Sequence, residues 1–198
     1  MHLLNNSTNR PKNYFLILYA VAGLILWFST FGPILLKSMD SPISDRLAFR
    51  QAQTAISSYY MLQNGFQIDY ETPVFGPPWK IPFEFPTYQL IVAAFAKTTS
   101  LGLDLSGRII SICFFLGCLY PIWCILGQLK VKKEVRIIGL AFFLTSPMYV
   151  FWARTFMIET CALFLSLMSV KYALKFIHTE KGNSLILVTA SAFAILAG

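Results

Sequence analysis

The chain has 198 residues, of which 56% are hydrophobic and 13% are charged, and its formal net charge is +7. Soluble domains carry about 25% charged residues, so this composition excludes an ordinary soluble domain and predicts an all-α integral membrane protein with multi-pass transmembrane helices. The positive charge does not indicate nucleic-acid binding, because the basic residues lie between apolar segments, where membrane topology explains them.

The first apolar segment, residues 14–36, is long enough to cross a bilayer, which takes about 20 residues. Arg10 and Lys12 precede it and predict a cytoplasmic N-terminus. A cleaved signal peptide would have an apolar core of about 7–15 residues. This segment is longer and ends in Pro33-Ile-Leu-Leu-Lys37, which favours an uncleaved anchor.

A long polar loop, residues 37–108, is expected on the outer side of the membrane. Ser44 predicts the N-cap of an amphipathic helix from Asp45 to about Gln63, which Asn64-Gly65 would end. This helix carries an apolar stripe that we expect on the membrane surface: Ala48, Ala52, Ala55, Tyr59 and Leu62. Dense proline after it predicts irregular structure over residues 68–82.

The segment 85–101 is apolar, but Lys97, Thr98, Thr99 and Ser100 interrupt it. If it crossed the membrane, the next span would place the basic cluster Lys130-Val-Lys-Lys133 outside, against the positive-inside tendency. A short helix that lies at the outer interface, or dips in and returns, leaves that cluster in the cytoplasm. We expect this second arrangement.

The remaining apolar segments then alternate in direction across the membrane. Residues 109–129 run inward, 137–153 outward and 158–177 inward, and 185–198 start outward. Lys171 and Lys175 are expected to extend to the cytoplasmic surface. The last segment is shorter than the roughly 20 residues a span needs, so we expect a single transmembrane domain, residues 1–198, that forms the N-terminal part of a longer fold.

The cysteines predict neither disulfides nor a zinc site, because all of them lie in apolar segments, where thiols behave as small apolar groups. They are Cys113, Cys118, Cys124 and Cys161.

The predicted topology gathers charged side chains on the outer side. They are Asp40, Asp45, Arg46, Arg50, Asp69, Glu71, Lys80, Glu84, Arg108, Arg154 and Glu159. Arg46 and Arg50 share a helix face and suit a phosphate, or else their charge holds the helix to anionic lipid. Asp45 beside them is a candidate general base, or else an acid favoured by the helix N-terminus. Arg154 and Glu159 either form an ion pair that closes a helical hairpin or act in the site, and Arg108 is read as an end-of-helix anchor.

Four segments, in chain order, resemble bacterial GT-C membrane glycosyltransferases, relatives of protein O-mannosyltransferases and of the lipid A aminoarabinose transferase. The segments are Phe49-Arg-Gln-Ala-Gln-Thr-Ala55, Glu84-Phe-Pro-Thr-Tyr88, Gly107-Arg-Ile-Ile-Ser111 and residues 154–159. The resemblance implies an inverting enzyme of the bacterial cytoplasmic membrane whose active face is periplasmic or extracellular. Such enzymes move a sugar from a polyprenyl-phosphate donor to a lipid, glycan or protein acceptor.

The resemblance also implies roles for residues in this site. The base would be an acid of the first outer loop, with Asp45, Asp40 and Glu84 as candidates, because Phe49 and Gln53 stand where many relatives have Trp and Asp. Donor phosphate would bind Arg46, Arg50 and Arg154, and the pocket would include Gln51, Lys80 and Glu159. No cofactor is required, although Glu84 or Glu159 could hold a divalent metal.

Two other classes of protein remain as alternatives. A non-catalytic membrane subunit that binds lipid headgroups would use the same arginines but not the acids. A transporter fragment is disfavoured, because transporters place ionisable groups deep in their helices and here these groups gather at one surface.

Overall fold

The computed structural model describes residues 18, 22–23, 25, 27–39, 47–70, 76–77, 79, 84–179 and 184–197. These residues form α-helices joined by turns, and no strand occurs among them. The predicted all-α fold class is therefore confirmed for this part of the chain.

The helices follow one another with short connections. Residues 27–30 are helical. They are followed by α1 (Gly32–Met39), α2 (Ala48–Asn64), α3 (Thr87–Thr99), α4 (Leu103–Gly117), α5 (Leu119–Gln128), α6 (Lys133–Thr145), α7 (Pro147–Ala153), α8 (Glu159–Ile177) and α9 (Ser184–Ala197).

Within the described residues, two helices are long and apolar enough to cross a membrane by length and composition. α4 and α5 form one helix of 26 residues, Leu103–Gln128, and α8 is the second, with 19 residues. A third span results if α6 and α7 count as one, although the pair is bent by 59°. The bend falls at Ser146, whose backbone is extended before Pro147, because proline begins helices well but interrupts them in the middle.

Helices lie at most of the apolar segments that the sequence indicates. α4 begins at Leu103 rather than at residue 109, because Gly102 is extended and Asp104 suits a helix N-terminus. The predicted span 137–153 corresponds to α6 and α7, which are separated by the break at Ser146. In the predicted first span, residues 14–36, the positions 14–17, 19–21, 24 and 26 lie outside the described residues, whereas residues 27–30 and 32–36 are helical.

α3 is a helix of 13 residues, shorter than the roughly 20 residues that a span requires. It packs against α2 on one side and α4 on the other. Its C-terminus is set by Ser100, which adopts the left-handed conformation with φ of 57°. A helix of this length and packing fits the expected non-spanning segment 85–101.

The interior contains two main apolar clusters, one beneath α3 and one around the bend between α6 and α7. The first is built from Tyr88, Val92, Ile110, Phe156, Cys161 and Leu165. The second is built from Trp27, Phe115, Leu144, Val150 and Ala153. The indole Nε1 of Trp27 donates a 2.7 Å hydrogen bond to the carbonyl oxygen of Leu144, so the N-terminal helical residues are tied to α6.

α2 packs on the protein mainly through small polar side chains. Its buried residues are Gln51, Thr54, Ser57, Ser58 and Met61. The buried hydroxyls are satisfied within the helix, as when Ser58 donates to the carbonyl oxygen of Thr54 at 3.1 Å. The expected apolar stripe does not lie as a whole on the membrane surface, because Ala55 and Leu62 pack against the protein interior.

Lys171 corrects another expectation. Its side chain does not extend to the surface, since the residue is only 8% exposed and its Nζ donates to the Tyr120 hydroxyl at 2.9 Å. The ammonium also lies 4.3 Å from the ring centre of Tyr120 and 4.5 Å from that of Tyr172. Two aromatic faces and one oxygen therefore surround this cation in place of the water expected from the sequence.

Side-chain contacts bring several helix ends together at one end of the bundle. The Thr87 hydroxyl at the start of α3 donates to the carbonyl oxygen of Leu196 at the end of α9, at 2.9 Å. Arg50 near the start of α2 contacts Glu159 at the start of α8. Lys130, Lys132, Lys133 and Arg136 follow the opposite end of the α4–α5 helix. Glu84 and Glu159 therefore lie at the opposite end of the α4–α5 helix from the basic cluster.

Candidate functional site

An ion pair at the bundle end links α2 to α8. The Nη2 atom of Arg50 lies 3.4 Å from Oε1 of Glu159. The Arg50 side chain is 56% exposed, whereas that of Glu159 is 27% exposed. The pair therefore joins a solvent-facing cation to a carboxylate that is set back into the protein.

A second carboxylate belongs to the same centre. Glu84, just before α3, accepts a 3.0 Å hydrogen bond at Oε1 from the Nε2 atom of Gln89. Its main-chain oxygen accepts a 3.1 Å bond from the hydroxyl of Tyr70. Glu84 and Glu159 are close enough to repel each other electrostatically. Arg50 contacts Glu159, and Glu84 lies within electrostatic range of Glu159, so we call these three residues the carboxylate site.

A buried hydrogen-bond network lies directly beneath the carboxylate site. Oε1 of Gln51 accepts a 3.0 Å bond from the backbone N–H of Phe156. The hydroxyl of Tyr88 donates to the carbonyl oxygen of Gly107 at 2.8 Å and lies 2.8 Å from Oγ of Ser111. Ser111 Oγ in turn lies 3.3 Å from the carbonyl oxygen of Met157.

This network holds together the four segments on which the resemblance rests. Gln51 belongs to the first segment, Tyr88 to the second, Gly107 and Ser111 to the third, and Phe156 to the fourth. The helices α2, α3 and α4 and the turn before α8 are thereby fixed to one another. Residues that are distant in sequence support one site.

Burial raises the pKa of the Tyr88 phenol well above its usual value, and desolvation is the main cause. The hydrogen bond to Ser111 acts in the opposite direction but is weaker. Tyr88 is therefore a neutral phenol at physiological pH, and it can serve as a fixed hydrogen-bond donor in the network.

Three buried side-chain oxygens near the start of α3 and α8 have no hydrogen-bond partner within the described residues. They are Oε1 of Gln89, Oε2 of Glu159 and Oγ1 of Thr160. Buried oxygens in proteins normally accept or donate a hydrogen bond. The carboxylate site thus has unused capacity to bind hydrogen-bond donors.

The described residues do not place three or more His, Cys, Asp or Glu side chains together as metal ligands. Glu84 and Glu159 supply two carboxylates to the site, and the thiols of all four cysteines are free. The binding of a divalent metal by Glu84 or Glu159 therefore stays a prediction.

The predicted site residues fall into three sets. Arg50, Gln51, Glu84 and Glu159 lie together, as described above. Arg154 lies with its guanidinium 5.0 Å from the ring centre of Phe151. The remaining candidates lie outside the described residues: Asp40, Asp45, Arg46 and Lys80.

Sequence reasoning missed several residues that build this site. The sequence predicts no role for Tyr88, Gln89 or Ser111, and it predicts that Arg108 is an end-of-helix anchor. Arg108 is only 4% exposed and acts electrostatically on Tyr88, so it belongs to the interior beneath the site. The available signal was the polar character of these residues within segments that are otherwise apolar, since polar groups there need partners.

No family model, curated protein or solved structure matches this chain.

Proposed function

We propose that the chain belongs to a membrane glycosyltransferase that moves a sugar from a polyprenyl-phosphate donor to a lipid, glycan or protein acceptor. One observation carries the proposal: the four motif segments meet in a single buried network, with Arg50, Glu84 and Glu159 at its border. Convergence of separate polar motifs beneath a charged centre is typical of a functional site.

The chemistry of sugar transfer suits such a centre. The acceptor oxygen or nitrogen attacks the anomeric carbon, its proton passes to a carboxylate, and the bond from that carbon to the polyprenyl phosphate breaks. A guanidinium stabilises the charge on the leaving phosphate. Arg50 is the exposed cation of the site, and Asp45, five residues before it, is our first candidate for the base.

The proposal includes a membrane arrangement. The helix Leu103–Gln128, the bent pair α6–α7 and α8 cross the bilayer, and α3 lies at the outer interface. The carboxylate site then faces the periplasm or the extracellular space, while Lys130 and Lys132 face the cytoplasm. This arrangement gives the site access to a lipid-linked donor.

Transfer by the full-length protein, reconstituted with a lipid-linked sugar, tests this function. Asp45→Asn is expected to lower the rate by about 10²- to 10⁴-fold, the usual contribution of a general base. Glu84→Gln and Glu159→Gln are expected to lower it less, because they shape the site. The matched control is Asp104→Asn, an exposed carboxylate near the start of α4. Full activity in all three site variants would reject the proposed enzyme.

A second candidate function is a non-catalytic subunit that binds lipid headgroups. Phe49 and Arg50 are adjacent on α2 and exposed by 66% and 56%, an aromatic and a cation that suit a membrane interface. This function predicts that Arg50→Gln weakens binding to anionic vesicles, while Asp45→Asn and Glu84→Gln have no effect on any activity of the protein.

A further inference from the structure

The pairing of Arg50 with Glu159 bears on how the carboxylate site receives an anion. We propose that Glu159 is an internal competitor for the guanidinium of Arg50, and that a phosphate-class anion takes its place when the site is occupied. This inference rests on the phosphate-binding role given to Arg50 in the proposed function. It adds that a carboxylate of the same site competes with the anion for Arg50.

The geometry of the pair favours exchange. The two atoms are 3.4 Å apart and the Arg50 side chain is more than half exposed, so water competes for the guanidinium. Exposed ion pairs contribute little stability. Guanidinium groups carry five N–H donors in a planar fork, whereas this contact involves the single nitrogen Nη2.

A phosphate group makes better use of that fork than Glu159 does. Guanidinium and phosphate groups form paired, charge-assisted hydrogen bonds that fix both position and orientation. The exposed side of Arg50 is open to solvent, so an anion can approach without first unfolding α2. Phosphate is therefore the class of anion that this side chain fits.

The surroundings of Glu159 allow it to release its partner. Glu159 is the first residue of α8 and lies in the positive field at that helix N-terminus, which remains after Arg50 moves. Glu84 repels the Glu159 carboxylate, and the buried Oε2 of Glu159 has no partner within the described residues. Once Arg50 is withdrawn, this carboxylate is free to accept hydrogen bonds from an incoming hydroxyl or amine.

Anion titration of the full-length protein in nanodiscs tests the competition. The probe is inorganic phosphate in discs of neutral lipid, and a second arm uses phosphatidic acid in the discs to separate free phosphate from lipid headgroups. Glu159→Gln is expected to bind phosphate about two- to five-fold more tightly, because it removes an exposed ion pair and a like charge. Arg50→Gln is expected to abolish the binding, and Asp104→Asn is expected to leave it unchanged.

A second variant, Glu159→Asp, keeps the test valid if Glu159→Gln does not fold. Glu159→Asp keeps the charge at the start of α8 but shortens the reach to Arg50, and it should bind phosphate more tightly than the native protein. If both Glu159 variants bind phosphate as the native protein does or more weakly, while Arg50→Gln loses binding, the competition is refuted and the role of Arg50 stands. If Arg50→Gln binds phosphate as tightly as the native protein, or if the native protein binds no phosphate in either arm, both the competition and the phosphate-binding role of Arg50 are refuted.

Discussion

At the scale of single residues, the side chains of Arg50 and Gln51 on α2 point in different directions, because an α-helix turns by about 100° per residue. Arg50 points to the exposed border and meets Glu159, while Gln51, 1% exposed, points inward and accepts from the N–H of Phe156. One turn of α2 is thereby attached twice to the segment that leads into α8. The position of Glu159 relative to Arg50 depends on this attachment.

Tyr88→Phe is expected to destabilise the fold by about 1–3 kcal/mol at neutral pH, because the carbonyl of Gly107 and the hydroxyl of Ser111 lose a buried partner. Thermal unfolding in detergent measures this effect. Tyr59→Phe is the control, since that ring is half exposed. Native stability in Tyr88→Phe would mean that the network does not hold α3 to α4.

The native protein should show a pH dependence of stability that Tyr88→Phe lacks. Burial raises the pKa of Tyr88 in the folded protein above its unfolded value. The stability gained from the neutral phenol is therefore complete below about pH 10 and is lost as pH rises above it. Between pH 9 and pH 11 the stability gap between the native protein and Tyr88→Phe should narrow, and a constant gap would contradict this.

At the scale of elements, the approach of α4 to the turn before α8 depends on a missing side chain. A Cβ atom at Gly107 would lie 2.6 Å from the ring of Phe156, closer than carbon atoms can approach. Gly107→Ala is therefore expected to destabilise the fold by about 1–3 kcal/mol, as overpacked interiors do. It should also lower any activity of the carboxylate site, because Phe156 lies three residues before Glu159.

The control for this element is Gly139→Ala in α6. An added Cβ there meets Leu126 at 3.8 Å, an ordinary contact, so alanine should be neutral or slightly stabilising in the helix interior. Thermal unfolding of both variants in the same detergent gives the comparison. Equal stability of the two would show that α4 and the turn can separate without cost.

Helix positions followed from hydropathy, whereas the packed faces did not. Apolar length placed α8 and α9 closely, because a long apolar stretch has few alternatives to a helix. The buried face of α2 could not be read from its apolar stripe, since Gln51 is buried by a partner 105 residues away. The surroundings of Lys171 could not be predicted for the same reason: Tyr120 and Tyr172 become its neighbours only when the chain folds.

At the scale of the whole molecule, charge is divided between two ends of the long helices. The carboxylate site lies where α4 and α8 begin, and the basic residues from Lys130 to Arg136 follow the end of α5. Arg136 is fixed there, since its Nε donates to the carbonyl oxygen of Val131 at 2.7 Å and its guanidinium lies over Trp123. The membrane arrangement proposed above requires this basic cluster to face the cytoplasm.

Side-specific labelling tests whether a bilayer separates these ends. Thr99→Cys, at the exposed end of α3, is expected to react with an impermeant maleimide added to intact cells. Lys132→Cys, in the basic turn, is expected to react only after the cells are opened. The native protein is the blank and measures any reaction of its own cysteines, of which Cys113 is exposed. Labelling of both positions from the same side would show that they lie on one side of the membrane. The proposed membrane arrangement of the carboxylate site would then be wrong.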